Sequence, residues 1–166
     1  MRRFLSLLLL LSAAYTAGCG RKEITSLQRM EAANVASEAQ FALTLRDYAR
    51  AEPLLTKATA LCPDTPEYWQ NLGVVRRRRD NRSGAKQAYA QMRDAARDLY
   101  KQDDKKTEAL LQQVYALALL GRADDARSLL EKAQKNHPDD RALGAFADGK
   151  QLDRILADPA FKDIAL

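Results

Sequence analysis

The chain has 166 residues but a single histidine, two cysteines, one tryptophan, seven glycines and five prolines. One histidine, His137, with Cys19 and Cys62 cannot supply a recognisable zinc set or a Cys/His nucleophilic pair. No Gly-rich phosphate loop and no Gly-x-Ser-x-Gly elbow occurs. The acidic doublets Asp103-Asp104, Asp124-Asp125 and Asp139-Asp140 fall at expected turns and helix starts, where carboxylates cap backbone amides rather than form an acid and base pair. The reading is therefore of a protein that is no enzyme, with no catalytic residue, no metal, no cofactor and no small-molecule substrate. Few Gly and Pro, no alternating β-branched runs and an abundance of Ala, Leu, Gln, Arg and Lys point to an all-α fold.

Long apolar runs are also missing, apart from one near the start. Met1-Arg2-Arg3 is basic, Phe4 to Leu11 is apolar, and Ser12 to Gly18 is rich in small residues and ends at Cys19. The apolar core is too short for a spanning helix, so residues 1–18 read as a secretory signal that is removed. Thr16-Ala17-Gly18-Cys19 resembles a bacterial lipobox, departing from it at Thr16, where Leu is usual. The resemblance implies cleavage before Cys19 and lipidation of that residue, with acyl chains that anchor the protein firmly. Gly20 stands where an Asp resembles an inner-membrane retention signal, which favours the periplasmic face of the outer membrane. Residues 19–24 form a short tether, about 15–20 Å across Arg21, Lys22 and Glu23 when extended, so the domain is held close to its membrane.

The formal net charge of +5 loses Arg2 and Arg3 with the signal, leaving a mildly basic chain. An envelope lipoprotein rarely meets nucleic acid, so no nucleic-acid partner is expected. With Cys19 lipidated, Cys62 has no partner for an internal disulfide in an oxidising compartment and reads as a small apolar residue.

The body of the chain repeats itself. Ala51, Leu55, Ala58 and Pro63 precede Ala85, Tyr89, Met92 and Arg97 by 34 residues, and Ala126, Leu130, Ala133 and Pro138 follow. Such a period signals stacked helical hairpins. The first expected helix, Thr25 to Leu45, carries Leu27, Met30, Asn34, Phe41 and Leu45 roughly on one face. Asp47 caps the next, Tyr48 to Leu61, which Pro53 should bend slightly. Thr65-Pro66-Glu67 opens a helix with Thr65 as N-cap, Pro66 at the first position and Glu67 in the positive first turn. Asp80 to Gly84 forms a turn. Trp69 maps onto Leu110 and Ala85 onto Ala126, both 41 residues on. The seven extra residues make about two helical turns and are placed in a long helix from Ser83 to Gln102. Thr107 to Leu120 and Ala123 to Asn136 form the third hairpin, and residues 141–166 form capping helices that put Leu152, Ile155, Leu156, Phe161 and Ile164 over its apolar face.

Trp69, Leu72 and Gly73, with Ala85 and Tyr89, lie in a stretch, Pro66-Glu-Tyr-Trp-Gln-Asn-Leu-Gly73, that resembles the tetratricopeptide repeat family across about residues 32–140. The resemblance implies a short right-handed solenoid of about three hairpins, with a repeat domain over 25–140. It also implies a concave groove lined by the first helix of each hairpin. Matching positions give Gln40, Leu43 and Thr44, then Glu67, Gln70, Val74, Arg77 and Arg78, then Leu111, Tyr115, Ala118 and Leu119, and Asn71 is a further candidate for bonding a ligand backbone. Arg76 occupies a position where the family usually packs an aromatic residue, and its stem is expected to cover apolar surface while its guanidinium reaches water. Arg77 and Arg78 are candidates to grip a carboxylate of a partner; the alternative is a solvated helix end favoured by the helix dipole. The family's chaperone-tail clamp maps to Ala36, Gln40, Asn71, Glu108 and Gln112, of which only Asn71 fits. The implied function is a membrane-anchored interaction scaffold that docks a segment of an unidentified envelope protein. The alternative is a non-catalytic activator or fixed subunit of an outer-membrane-protein, pilus, secretion or cell-wall assembly.

Overall fold

The computed structural model describes residues 23–166 apart from Gly149, so the expected signal segment, the tether start and the lipidation expected at Cys19 lie outside the described residues. Among the described residues the chain forms helices and no strand. They are α1 (Ser26–Thr44), α2 (Tyr48–Leu61), α3 (Pro66–Arg78), α4 (Arg82–Gln102), α5 (Thr107–Leu119), α6 (Ala123–Asn136), α7 (Arg141–Asp148), α8 (Gln151–Ala157) and α9 (Pro159–Ile164). Helices α1 to α6 each pack on their neighbours in sequence. The last three turn back, so that α7 meets α5 and α6, and α9 meets α3.

The internal repeat is visible in the turns. Between α1 and α2, Arg46 takes a left-handed conformation, as do Asp80 between α3 and α4 and Gly121 between α5 and α6. At each site the left-handed residue donates its N–H to the carbonyl three back: Arg46 to Leu43, Asp80 to Arg77, Gly121 to Ala118. The next residue reaches five back: Asp47 to Ala42, Asn81 to Arg76, Arg122 to Leu117. This is the Schellman arrangement, which satisfies carbonyls that the helix end leaves open. The three left-handed residues are separated by the same 34 and 41 positions as the sequence register. The connections between hairpins repeat as well, with Thr65 donating to Cys62, Lys106 to Asp103 and Asp140 to His137.

Helices α2 and α6 each have 14 residues and α4 has 21. The seven extra residues thus lengthen one helix by nearly two whole turns, which keeps the same face inward beyond the insertion.

Helix starts follow local chemistry with some departures. Thr25 and Gln28 form a reciprocal capping box on α1, and Asp47 accepts from Arg50 N at 3.0 Å. Thr65 sits at the N-cap of α3 but makes no side-chain cap; its hydroxyl lies 3.5 Å from Asp64. Helix α4 starts at Arg82, inside the expected turn, with Asn81 accepting from Gly84 N at 2.9 Å. Of the acidic doublets, Asp103 and Asp140 do accept backbone amides. Asp124 and Asp125 instead sit in the first turn of α6 and pair with Arg127 and Arg122. Within the expected capping residues, Pro159–Ile164 form a separate short helix, at whose N-cap Asp158 accepts from Ala160 N at 2.8 Å.

Burial relies heavily on alanine where helices cross. One cluster joins Ala39, Ala42, Ala51, Leu55, Leu72, Val75 and Ala88; a second runs through Tyr89, Met92, Val114, Leu119, Leu143, Leu152 and Phe161. Trp69 packs against both and donates its indole N–H to Pro63 O at 2.9 Å. The larger apolar residues expected on one face of the first helix, Leu27, Met30, Phe41 and Leu45, are not part of either. Ala32, Val35, Ala39 and Ala42 are buried, while Leu27, Met30, Phe41 and Leu45 are 58–65% exposed. Small residues allow α1 to approach α2 closely, and the larger ones are left outside.

Arg76 also departs from expectation. Its guanidinium does not run to water: Nε donates to Glu52 at 3.2 Å and an Nη donates to Gly84 O at 3.2 Å. It thereby ties α3 to α2 and α4 where an aromatic ring was expected. Gly73 is required by close approach, since a Cβ there would stand 2.2 Å from Cε1 of the fully buried Tyr89 ring.

Two stability predictions follow from these contacts. Gly73→Ala gains helix propensity worth about 1 kcal/mol but forces the buried ring, so a net loss of about 1–3 kcal/mol is expected. Urea unfolding checks it, and pairing with Tyr89→Leu should recover part of the loss as a non-additive coupling. Asp140 is held below the usual carboxylate range, chiefly by the Thr107 hydroxyl 2.6 Å away and then by Leu143 N–H. A depressed carboxyl stabilises the fold above its unfolded pKa and ceases to do so as pH falls through its folded one. The stability gap between the native chain and Thr107→Val should therefore be present at neutral pH and close below about pH 4.

Candidate functional site

The expected groove residues fall into two groups. Val74, Arg77 and Arg78 on α3 and Leu111 and Tyr115 on α5 converge on one surface, and that surface is covered by α9 and the residues after it. Phe161 is nearly buried and meets the Tyr115 ring edge-on, with centroids 5.6 Å apart and an interplanar angle of 62°. Arg77 Nε donates to Ala165 O at 2.9 Å. Arg78 reaches Asp163 at 3.5 Å. Tyr89 donates its hydroxyl to Ile164 O at 2.7 Å, and Leu166 N donates to Leu119 O at 3.0 Å. Val74, Leu111 and Tyr115 pack against the same cluster as Phe161 and Ile164.

The segment is read in a defined way. One aromatic side chain enters an apolar seat, a carboxylate meets an arginine, and the carbonyls of Ile164 and Ala165 are each taken by a side-chain donor. Charge-assisted donation from Arg77 to a carbonyl is stronger than a neutral bond. Burial pushes Tyr89 well above the usual phenol range, and does the same, with help from Asp158, for Tyr115. Both therefore remain neutral, and Tyr89 remains a donor, at any ordinary pH.

The other group lies apart. Gln40 and Thr44 are exposed on α1, and the Thr44 hydroxyl donates to Phe41 O in its own helix at 2.7 Å. Gln70 and Asn71 are half-buried on α3. Between α3 and α5, Gln112 donates to Glu67.

The arginine row is largely engaged within the chain. Arg76 and Arg79 both hold Glu52, from either side of its carboxylate, while Arg77 and Arg78 hold the C-terminal segment. The remaining chemistry-bearing residues are likewise engaged. Cys62 is buried, with its thiol pushed up by desolvation and 3.8 Å from Gln28 O. The Tyr100 hydroxyl is 2.7 Å from His137 Nε2. Among the described residues no group of His, Cys, Asp and Glu is placed to hold a metal ion, and no helix is long and apolar enough to cross a membrane.

Sequence reasoning missed Tyr89, Asp163 and the carbonyls of Ile164 and Ala165 as parts of this surface. Tyr89 was legible only as a packing residue, and carbonyl acceptors leave no mark in a sequence. The spacing of Phe161 and Ile164, three apart, was the one available signal.

No family model, no curated protein and no solved structure matches the chain.

Phe161 is the one buried anchor of α9. Phe161→Ala is expected to cost the C-terminal arm about 3 kcal/mol. Hydrogen exchange should show faster exchange across 158–166, with amides of α1 and α2 unchanged; equal loss in α2 would mean that the arm and the first hairpin unfold together.

Proposed function

We propose that the protein is a membrane-anchored scaffold of the bacterial cell envelope, built as a tetratricopeptide-like array of three hairpins, that docks a short segment of a partner protein on the face formed by α3 and α5. The observation that carries this reading is the chain's own use of that face. Residues 158–166 are held there by an aromatic seat, two arginines and a tyrosine donor. A surface that captures one short segment through main-chain carbonyls, one carboxylate and one ring has the chemistry to capture another of the same kind. The threefold turn geometry, with its 34- and 41-residue spacing, supports the repeat assignment. The lipobox-like Cys19 supports anchoring to the periplasmic face of the outer membrane.

The protein performs no turnover in this reading. Arg77 and Arg78 provide positive charge and directed donors, Tyr115 and Val74 provide apolar surface, and a partner competes with the C-terminal segment for them. Half-buried Gln70 and Asn71 lie about two turns earlier on α3 and offer further polar contacts beside the arm's own.

The test is crosslinking in the native host from a photoreactive residue at Gln70, in the otherwise unaltered chain and with Phe161→Ala. A discrete envelope protein should be captured, in greater yield when the C-terminal arm is loosened, and capture should fall at least about tenfold, worth about 1.4 kcal/mol, with Arg77→Glu and Arg78→Glu. Capture indifferent to both changes would remove the α3–α5 face from the binding site.

A further inference from the structure

The two ends of the array are treated differently. At one end α7 packs over α5 and α6 and the C-terminal arm closes the last hairpin. At the other, α1 packs on α2 through Ala32, Val35, Ala39 and Ala42 and presents its opposite face to solvent. That face carries Leu27, Met30, Phe41 and Leu45, each more than half exposed. At 100° per residue these four side chains, with Asn34 and Glu38, fall within a sector of about 80°. The strip runs from Leu27 to Leu45, about 27 Å at 1.5 Å per residue. A terminal hairpin face of this kind calls for a cover.

The order of residues along the strip points to what covers it. It is nearly symmetric about position 36: Leu27 and Leu45 each lie nine residues away, Asn34 and Glu38 each two, and Met30 and Phe41 six and five. We propose that α1 is a self-association surface, on which α1 of a second copy lies antiparallel about a two-fold axis between Asn34 and Glu38. In that register Leu27 of each copy meets Leu45 of the other, Met30 meets Phe41, and the Asn34 amide donates to the Glu38 carboxylate, twice by symmetry. A parallel pairing would instead oppose Glu38 to Glu38. A lipid surface is a poorer fit, because Asn34 and Glu38 sit in the middle of the strip and would have to enter the apolar layer with it.

Size sets the strength of this dimer. One helix face paired at the usual 8–10 Å buries less than the roughly 1,200 Å² of a standard stable interface. The dimer is therefore weak, exchanges freely, and is favoured wherever copies are concentrated. The surface lies on α1, away from the α3–α5 face, so both can be occupied together.

The test uses the full chain in mild detergent, with Leu27→Cys and Leu45→Cys in the same molecule and a thiol crosslinker that spans about 8–10 Å, the distance between packed helices. The unsubstituted chain gives the background from Cys19, and Cys62 is buried. A covalent dimer is expected from the double variant and not from Leu27→Cys alone, because an antiparallel pair sets the two Leu27 positions about 27 Å apart. Adding Phe41→Glu should abolish the dimer, and Asn34→Glu should reduce it while Asn34→Lys, facing Glu38, should increase it. Sedimentation of Phe41→Glu should show monomer where the native chain shows a concentration-dependent dimer, with an unchanged helical circular-dichroism spectrum. Equal crosslinking by Leu27→Cys alone would overturn the antiparallel pairing. The proposal is also overturned by loss of vesicle binding in Phe41→Glu with no dimer in any variant, which would assign the face to lipid.

Discussion

The Tyr89 ring lies against the backbone of Gly73, and both ends of the molecule's larger cluster depend on that contact. A side chain at position 73 would occupy the place of Cε1 and Cδ1, so the glycine is what lets α4 settle against α3 with a phenol between them. The ring is fully buried, yet its hydroxyl emerges on the far side to donate to Ile164 O at 2.7 Å. A buried phenol needs such an acceptor. One residue thus couples the packing of the second hairpin to the seating of the C-terminal arm, and the same carbonyl that satisfies Tyr89 lies next to the one that Arg77 takes.

Repetition of the hairpins comes from backbone geometry more than from side chains. Arg46, Asp80 and Gly121 share a left-handed turn, although glycine alone adopts it without cost. The chain accepts that cost twice because two carbonyls per helix end are satisfied in return. Ala85, Tyr89, Met92 and Ala95 keep the register of α2 and face inward, and the added residues extend the C-terminal end of α4 by nearly two whole turns, so the chain leaves the helix at nearly the angle it would have had without them. An insertion of five residues would have rotated the far part of the helix by about 140° relative to its near part.

Much of this was legible in the chain. Recurrent Ala and Leu positions gave the hairpin register and located the added turns, and Pro66 and Asp47 marked boundaries because their conformational preferences are local. Arg76 was misjudged because its partners, Glu52 and Gly84 O, come from two other helices and no local rule announces them. The α1 strip shows a different limit. Periodicity reports that Leu27, Met30, Phe41 and Leu45 share a face, but burial depends on which face has a neighbour, and here alanines allow the closer approach. The groove residues were grouped by hairpin position, whereas their actual grouping follows the C-terminal arm, whose path is set by tertiary contacts from Phe161 onward.

That arm changes the energetics of anything that binds the α3–α5 face. It is covalently attached, so it competes at an effective concentration of about millimolar even if its link were fully flexible, and the packed α7 and α8 hold it more closely than that. A partner must therefore make contacts that the arm does not, or bind with an intrinsic affinity high enough to lose a large factor and still be retained. The first requirement has a physical location: Gln70 and Asn71 lie about two turns before Arg77 on α3 and are half-buried. A segment that entered along that side, gaining contacts there before reaching Arg77, would displace Ala165 and Asp163 stepwise. Each arginine would exchange one acceptor for another, and half-buried Arg77 would not be left without a partner at any stage, which avoids the cost of stranding its charge.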